Sequence, residues 1–497
     1  MRYLPDTKRT GLLLGPALFA TVLLFFHPKG LSAEANAVLA STLWIATWWI
    51  TDCIPLAVTS ILPIILFPLT GGMGIEETTA SFGHRYIFLY IGGFIVAIAI
   101  ERWNLHKRIS LMIINLIGTN LKSIILGFMV ATAFLSMWIS NTATAVMMLP
   151  IGMAIVTQLK DNPKTKEDEN LIFGKALMLA IAYSATIGGI ATLIGTPPNL
   201  VLAAMVQELY GVEITFYQWI IFGLPISAVL LLLCWKYLTT YAFEFKQKSF
   251  PDGKEEIKRQ LKALGSISYE EKMVLGIFVL TAITWISRSF LNRFIPALDD
   301  TIIAVAAAVL LFTIPASKKK NRALVTWPEA VRLPWGILLL FGGGLALAEG
   351  FKSSGLATYL GQQLTLLEGA SLLVLLLVVI AAVNFLTEIT SNIATTAMVL
   401  PILAPLALVM NVHPFGLMVG AAVAASCAFM LPVATPPNAV VFGAGYLTIP
   451  DMVRTGFRLN LLSIICLTLV IYLLLPYLWG FSLDAFPLEF KKQHSLN

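Results

Sequence analysis

The sequence predicts an all-α polytopic membrane protein made of two related halves, and three observations carry that reading. Of 497 residues, 58% are hydrophobic and only 12% are charged, where soluble domains carry about a quarter charged residues. Many apolar runs approach the roughly twenty residues needed to cross about 30 Å of hydrocarbon. The third observation is internal duplication: FLSMWISNTATAVMMLPI (134–151) returns as FLTEITSNIATTAMVLPI (385–402), with ten identities in eighteen positions at an offset of 251.

The apolar runs include 12–26, 217–237, 273–287, 302–315 and 459–478, and the whole chain reads as about ten to twelve passes. A basic start (Arg2, Lys8, Arg9) precedes the first run, and Ala33-Glu34-Ala35 imitates a signal-peptidase site. Because many further spans follow, the first helix is expected to be retained. The formal charge of +6 gathers in short segments, 160–175, 236–272 and 318–332, rather than on one domain face. That distribution fits the positive-inside rule and not nucleic-acid binding. It places the N-terminus and these loops in the cytoplasm. Counting spans leaves the C-terminus outside, despite Lys491 and Lys492.

The four cysteines, Cys53, Cys234, Cys427 and Cys466, are isolated in apolar segments, with neither metal-ligand nor disulfide spacing, and are expected to be packing residues. The one sizeable polar segment, 245–269, sets Lys254, Glu255, Glu256, Lys258, Arg259 and Lys262 around Ile257, Leu261 and Leu264. Apolar positions at i, i+4 and i+7 make it an amphipathic helix on the cytoplasmic surface.

The duplication sets the organisation. YIFLYIGGFIVAIAIE (86–101) matches GILLLFGGGLALAEGF (336–351), laying Gly92-Gly93 on Gly342-Gly343. GTPPNLV from Gly195 pairs with ATPPNAV from Ala434, 55 and 43 residues after the respective Ser-Asn motifs. The difference of 12 fits an extra charged loop, KDNPKTKEDENL, in the first half. The expected divisions are scaffold helices over 1–85, a first repeat over 86–240, a linker helix over 241–272, scaffold helices over 273–332 and a second repeat over 333–497. Within the first repeat, a hairpin is expected over about 120–158 and a broken helix over about 175–210. Within the second, the counterparts fall at about 370–410 and 415–446, before a final helix. With the loops on the sides assigned, the two copies enter from opposite faces, the inverted-repeat plan of secondary transporters.

Ser140-Asn141-Thr142 puts three hydrogen-bonding side chains into apolar sequence, where an unpaired polar group costs several kcal/mol. The segment is either a kinked span or a re-entrant hairpin with the triplet at its tip, and Ser, Asn and Thr suit the start of a second arm. In TPPN, Thr196 can cap, Pro197 can open a new half-helix and Gly195 can end the old one. Two copies, each partnered by a Ser-Asn motif, favour broken helices over plain proline kinks.

Neither tip nor either break has a Lys, Arg or His nearby, and Glu388 is the only ionisable residue there. Four half-helix N-termini, each worth about half a positive charge, give at most about +2. That suits a dianion. The amides of Asn141 and Asn392 and the hydroxyls of Thr142, Thr196 and Thr435 can add directional bonds to carboxylate oxygens. Free carbonyls at the breaks, with Ser136, Ser140, Thr387 and Ser391, form oxygen-rich pockets for a hard cation such as Na⁺. Glu388 either strengthens a cation site or supports the hairpin; its counterpart in the first copy is Met137. A membrane enzyme would need a nucleophile with its base or a metal cluster. The five histidines, His27, His84, His106, His413 and His494, are scattered, and no such set is visible.

At these residues the chain resembles the divalent anion/sodium symporter family, the INDY-type di- and tricarboxylate transporters. WWITDCIPLAVTSILPIILFPL (48–69) and AIERWNLHKRIS (99–110) also look like it. The resemblance implies two inverted-topology repeats, about eleven transmembrane helices, two re-entrant hairpins, a homodimer and an elevator movement. It implies substrate contacts at Asn141, Thr142, Asn392, Thr435 and Pro436. Sodium ligands fall by motif position at Ser136, Ser140, Asn141 and Gly195, and at Thr387, Thr390, Asn392 and Ala434. One departure stands out: Ile393 occupies the place of Thr142, so altered carboxylate selectivity is expected there. The expected function is secondary transport of C4 to C5 dicarboxylates such as succinate, malate, fumarate or 2-oxoglutarate across the plasma membrane, with Na⁺ as coupling ion and no covalent cofactor. The alternatives are a sodium-independent dicarboxylate exchanger and a citrate or sulfate transporter.

Overall fold

A computed structural model describes residues 6–117, 120–159, 169–245, 251–317, 321–363 and 371–490. Lys491, Lys492, Lys318, Lys319, Lys320 and most of the KDNPKTKEDENL loop, all used in the topology reading, lie outside the described residues. The described chain is helical throughout, with one isolated bridge, Pro315 to Ala323, and no strand.

Among the described residues, eight helices are long and apolar enough to cross a membrane, including Trp335–Ser353, Tyr269–Leu291 and Ile449–Leu473. Six further apolar helices are shorter, at 10–17 residues. The short ones lie mostly where the sequence carries its polar interruptions. Leu121–Ser136 stops at residues 137–140, and Asn141–Val156 starts on the far side. The same happens between Leu372–Leu386 and Asn392–Val409. At 1.5 Å per residue, a 16-residue arm reaches about 24 Å, less than the hydrocarbon thickness.

Two further helices are interrupted. Glu169–Gly189 resumes as Pro197–Tyr210, and Pro414–Ala425 resumes as Pro436–Phe442. The gaps are wider than a proline kink: seven residues, 190–196, and ten residues, 426–435. The leading halves form the centre of the molecule. Every residue from 176 to 189 is buried, as are all twelve of Pro414–Ala425, which is why both are apolar on all sides. Glu169–Gly189 packs against both arms of the first hairpin. The contact is close because Gly188 has no side chain: a Cβ there would lie 2.3 Å from the Ala133 carbonyl oxygen.

The expected surface helix runs Pro251–Ala263 and packs on Leu105–Ile117 through buried Ile257. Arg108, from Leu105–Ile117, secures the turn that follows the surface helix. Its guanidinium donates to the carbonyls of Leu264, Gly265 and Ser266 and to both Glu271 oxygens. Cys53, Cys234 and Cys427 are buried and Cys466 half-buried, all four as free thiols.

Candidate functional site

The second arm of each hairpin and the second half of each broken helix begin at one cavity of about 540 Å³. Residues 140–142, 196–198, 391–393 and 435–437 all line it, so four helix N-termini from distant parts of the chain converge. Each start has a local cause. Ser140 Oγ accepts from Ala143 N–H at 3.2 Å, and Thr435 Oγ1 accepts from Asn438 N–H at 3.3 Å. Proline at the first helical position gives up no intrahelical bond.

Of the residues expected to contact substrate, Asn141, Thr142, Thr196, Asn392, Ile393, Thr435 and Pro436 all line the cavity. Of those expected around cations, Ser140, Gly195, Thr390 and Ala434 line it as well, whereas Ser136 and Thr387 are fully buried just behind the tips. Ser136 Oγ lies 2.5 Å from the Asn141 side-chain oxygen. With the amide turned, its nitrogen reaches the Ala185 carbonyl at 3.2 Å and the Gly195 carbonyl at 3.3 Å. The Thr387 hydroxyl lies 2.8 Å from Asn392 Oδ1 and 2.9 Å from the Ala425 carbonyl, and its single proton serves only one of them. Thr390 and Thr395 hydroxyls meet at 2.5 Å beside it. Two clusters of uncharged oxygen ligands therefore flank the cavity, a donor set that suits a hard monovalent cation.

Two local expectations are corrected. Gly195 does not end the leading half-helix; Gly189 does, six residues earlier. Gly195 instead folds back onto it, since a Cβ on Gly195 would lie 2.5 Å from the Gly189 carbonyl oxygen. Thr196 sits at the cap position with extended backbone but makes no capping bond through its side chain, unlike Thr435. Its hydroxyl is left to the cavity side of the break.

The last residue of each TPPN motif has a role that the sequence reading missed. Asn199 Nδ2 donates to the carbonyls of Gly189 at 3.1 Å, Ile190 at 3.4 Å and Thr192 at 2.7 Å. Asn438 Nδ2 does the same for Ala428 at 3.3 Å and Leu431 at 3.0 Å. These amides replace the intrahelical donors that the break removes. The opposite wall of the cavity, Trp49, Tyr90, Phe94 and Ile337, was also missed. So was Asp52, the only carboxylate on the lining, which sits at φ 44° and pairs with Lys8 at 2.9 Å. Among the described residues, no Lys, Arg or His lines the cavity.

Broken helices and paired hairpins meeting at one cavity are the architecture of a polytopic membrane transporter. The chain belongs to the family of the sodium:sulfate symporter transmembrane region, which matches residues 6–483. It is 51% identical over 487 residues to a sodium-dependent dicarboxylate transporter, SdcS, of Staphylococcus saprophyticus, covering 97% of this chain and 94% of that one. It is 50% identical over the same length to the SdcS protein of Staphylococcus aureus strain USA300, with the same coverage. Among solved structures, the Neisseria gonorrhoeae MtrF efflux pump aligns with a TM-score of 0.57 at 12% identity, over 98% of each chain. The Alcanivorax borkumensis YdaH transporter aligns with 0.52 at 13%, over 94% of this chain and 96% of that one. At such identities these two bear on the fold alone.

Proposed function

We propose that the protein carries dicarboxylates across the bacterial plasma membrane, driven by co-transported Na⁺. The observation that carries the reading is the convergence of four helix starts on a cavity lined by no cationic side chain. Three of those helices have 14 residues or more, and their N-termini supply about +1.5 in total. A C4 or C5 dicarboxylate carries two charges, so bound cations complete the balance. Sodium and substrate thus favour one another's binding, the thermodynamic requirement for symport.

In this reading Asn141, Thr142, Thr196, Asn392, Thr435 and Pro436 face the carboxylates, with Ile393 against the carbon chain. One Na⁺ is held by Ser136, Ser140, Asn141 and Gly195, the other by Thr387, Thr390, Asn392 and Ala434. Neutral oxygen ligands release a partly dehydrated Na⁺ more readily than carboxylates do, as a carrier requires. The 51% identity to a sodium-dependent dicarboxylate transporter supports both substrate class and coupling over citrate, sulfate or sodium-independent exchange.

The two halves act as inverted repeats with the N-terminus in the cytoplasm, and the chain works as a homodimer with an elevator movement. Supporting the moving body, Glu169–Gly189 packs on both arms of the first hairpin, and Pro436–Phe442 packs on that helix and on Asn141–Val156. The first hairpin thereby packs with parts of both broken helices, while Trp49 belongs to Ala33–Thr51 and Tyr90 and Phe94 to Arg85–Arg102.

Purified protein in liposomes tests the function. Labelled succinate should accumulate under an inward Na⁺ gradient with no internal dicarboxylate. Uptake that ignores the gradient and requires internal dicarboxylate would establish exchange instead.

A further inference from the structure

Glu388 lies behind the second hairpin tip, 3% exposed and off the cavity wall. Its carboxylate accepts from four donors. Phe429 N–H reaches Oε1 at 2.8 Å, Met430 N–H lies 3.0 Å from Oε1 and 3.1 Å from Oε2, and Leu431 N–H reaches Oε2 at 3.2 Å. Asn460 Nδ2, from Ile449–Leu473, donates to Oε1 at 2.7 Å. Three successive backbone N–H groups form an anion-binding concavity, and here the protein fills it with its own side chain.

The clasped backbone is the middle of the ten-residue gap in the second broken helix. Its other side is also fixed: the Tyr183 hydroxyl donates to the Phe429 carbonyl at 2.9 Å, with the two rings edge to face at 5.1 Å. From Leu431 the hold passes onward. The Leu431 carbonyl accepts from Ala434 N–H at 3.2 Å and from Asn438 Nδ2 at 3.0 Å. Ala434 is the residue whose carbonyl the second cation site uses. The first repeat is built the other way round. Met137 has no polar side chain to offer, and Thr192 Oγ1 from the break donates instead to the Met137 carbonyl at 2.6 Å. The hairpin and break are locked in both copies, but only in the second does a hairpin carboxylate gather three successive N–H groups of the break.

We infer that Glu388 is a positioning residue for sodium coupling: it holds residues 429–431 so that the Ala434 carbonyl faces the second cation site, and it ligates no ion itself. Its two oxygens are already taken up by five hydrogen bonds from four donors, three to Oε1 and two to Oε2, and it lies off the cavity wall. The inference rests on the placement of the second site at Thr387, Thr390, Asn392 and Ala434.

The test is the sodium-activation curve of succinate uptake in liposomes for Glu388→Gln, Asn460→Ala and Thr387→Ala, each checked for yield and unfolding temperature. Glu388→Gln puts an amide nitrogen against N–H donors and should raise the half-saturating sodium concentration about tenfold. Asn460→Ala removes one donor and leaves hairpin and break unaltered in sequence; it should raise that concentration about threefold. In both, the succinate KM at saturating sodium should stay near that of the parent, a split that general loss of structure does not produce. If Glu388→Gln does not fold, Asn460→Ala decides. An unmoved sodium curve in Asn460→Ala overturns the inference, because an ion-ligating carboxylate would not depend on that amide. An unmoved curve in Thr387→Ala rejects the placement of the second site itself.

Discussion

The hydroxyl of Ser136 lies 2.5 Å from the side-chain oxygen of Asn141, across the turn of the first hairpin. Thr387 and Asn392 repeat the relationship at 2.8 Å and at the same five-residue spacing. Ser136 Oγ, the Asn141 amide and the Gly195 carbonyl stand together in either orientation of that amide, and they form one wall of the first cation site proposed above. Ser136→Ala removes one ligand and leaves the helix start at Asn141 intact. The sodium concentration for half-maximal succinate uptake should rise about fivefold, with substrate KM at saturating sodium unchanged. A sodium curve that does not move takes Ser136 out of the site.

Ile393 lines the cavity at the second tip, at the position where the first tip has Thr142. The two tips thus present a hydroxyl on one side and an apolar branch on the other. Ile393→Thr adds a donor within reach of a bound carboxylate or hydroxyl and removes apolar contact with the carbon chain. The ranking of succinate, malate, fumarate and 2-oxoglutarate as competitors of labelled succinate should change, with malate gaining about tenfold at most. Equal shifts for all four would place Ile393 away from the substrate.

Asn199 and Asn438 each donate to carbonyls of the break they follow. Asn199→Ala takes that donor from the Gly189 carbonyl, while Ile190 keeps the Trp219 indole N–H at 2.9 Å and Thr192 keeps only the long Gly195 N–H bond at 3.4 Å. Buried acceptors left without a donor cost about 1–3 kcal/mol each. The unfolding temperature of purified Asn199→Ala should drop clearly, and that of Asn438→Ala should drop as well. Unfolding temperatures equal to the parent's would show that other donors serve these breaks.

Much of this architecture is legible in the sequence because polar and proline residues contrast with an apolar background. The Ser-Asn and TPPN strings stand out for that reason, and their duplication couples them. What stays hidden has no such contrast or depends on distant partners. Trp49, Tyr90 and Phe94 look the same in sequence whether they face lipid, core or cavity. Asp52 meets Lys8 across 44 residues, and Glu388 meets Asn460 across 72. Gly189 ends its helix six residues before Gly195, and the close approach of Gly195 to its carbonyl is a contact between residues that sequence alone does not bring together. The asparagine of TPPN could have been found, since it recurs in both copies at a position that needs no turn residue.

Glu329 joins helix Arg85–Arg102 to the short segment that follows Asp300–Thr313. Arg102 Nε donates to Oε1 at 2.6 Å, Arg322 donates to Oε2, and Thr326 contributes both its N–H and its hydroxyl at 3.0 Å. Partial burial pushes this carboxyl upward, but the Arg322 bond, then the Thr326 and Arg102 bonds, outweigh it and hold it down from 4.5 to about 2. Between those values the unfolded chain binds the proton more readily than the folded one. The contribution to stability is therefore complete above about pH 4.5 and is lost as the pH falls toward about 2. Glu329→Gln should lower the unfolding temperature at pH 7, and its difference from the parent should shrink steadily across that acid window. Two curves that stay parallel from pH 7 to the acid limit would show that the network does not draw its stability from the carboxylate charge.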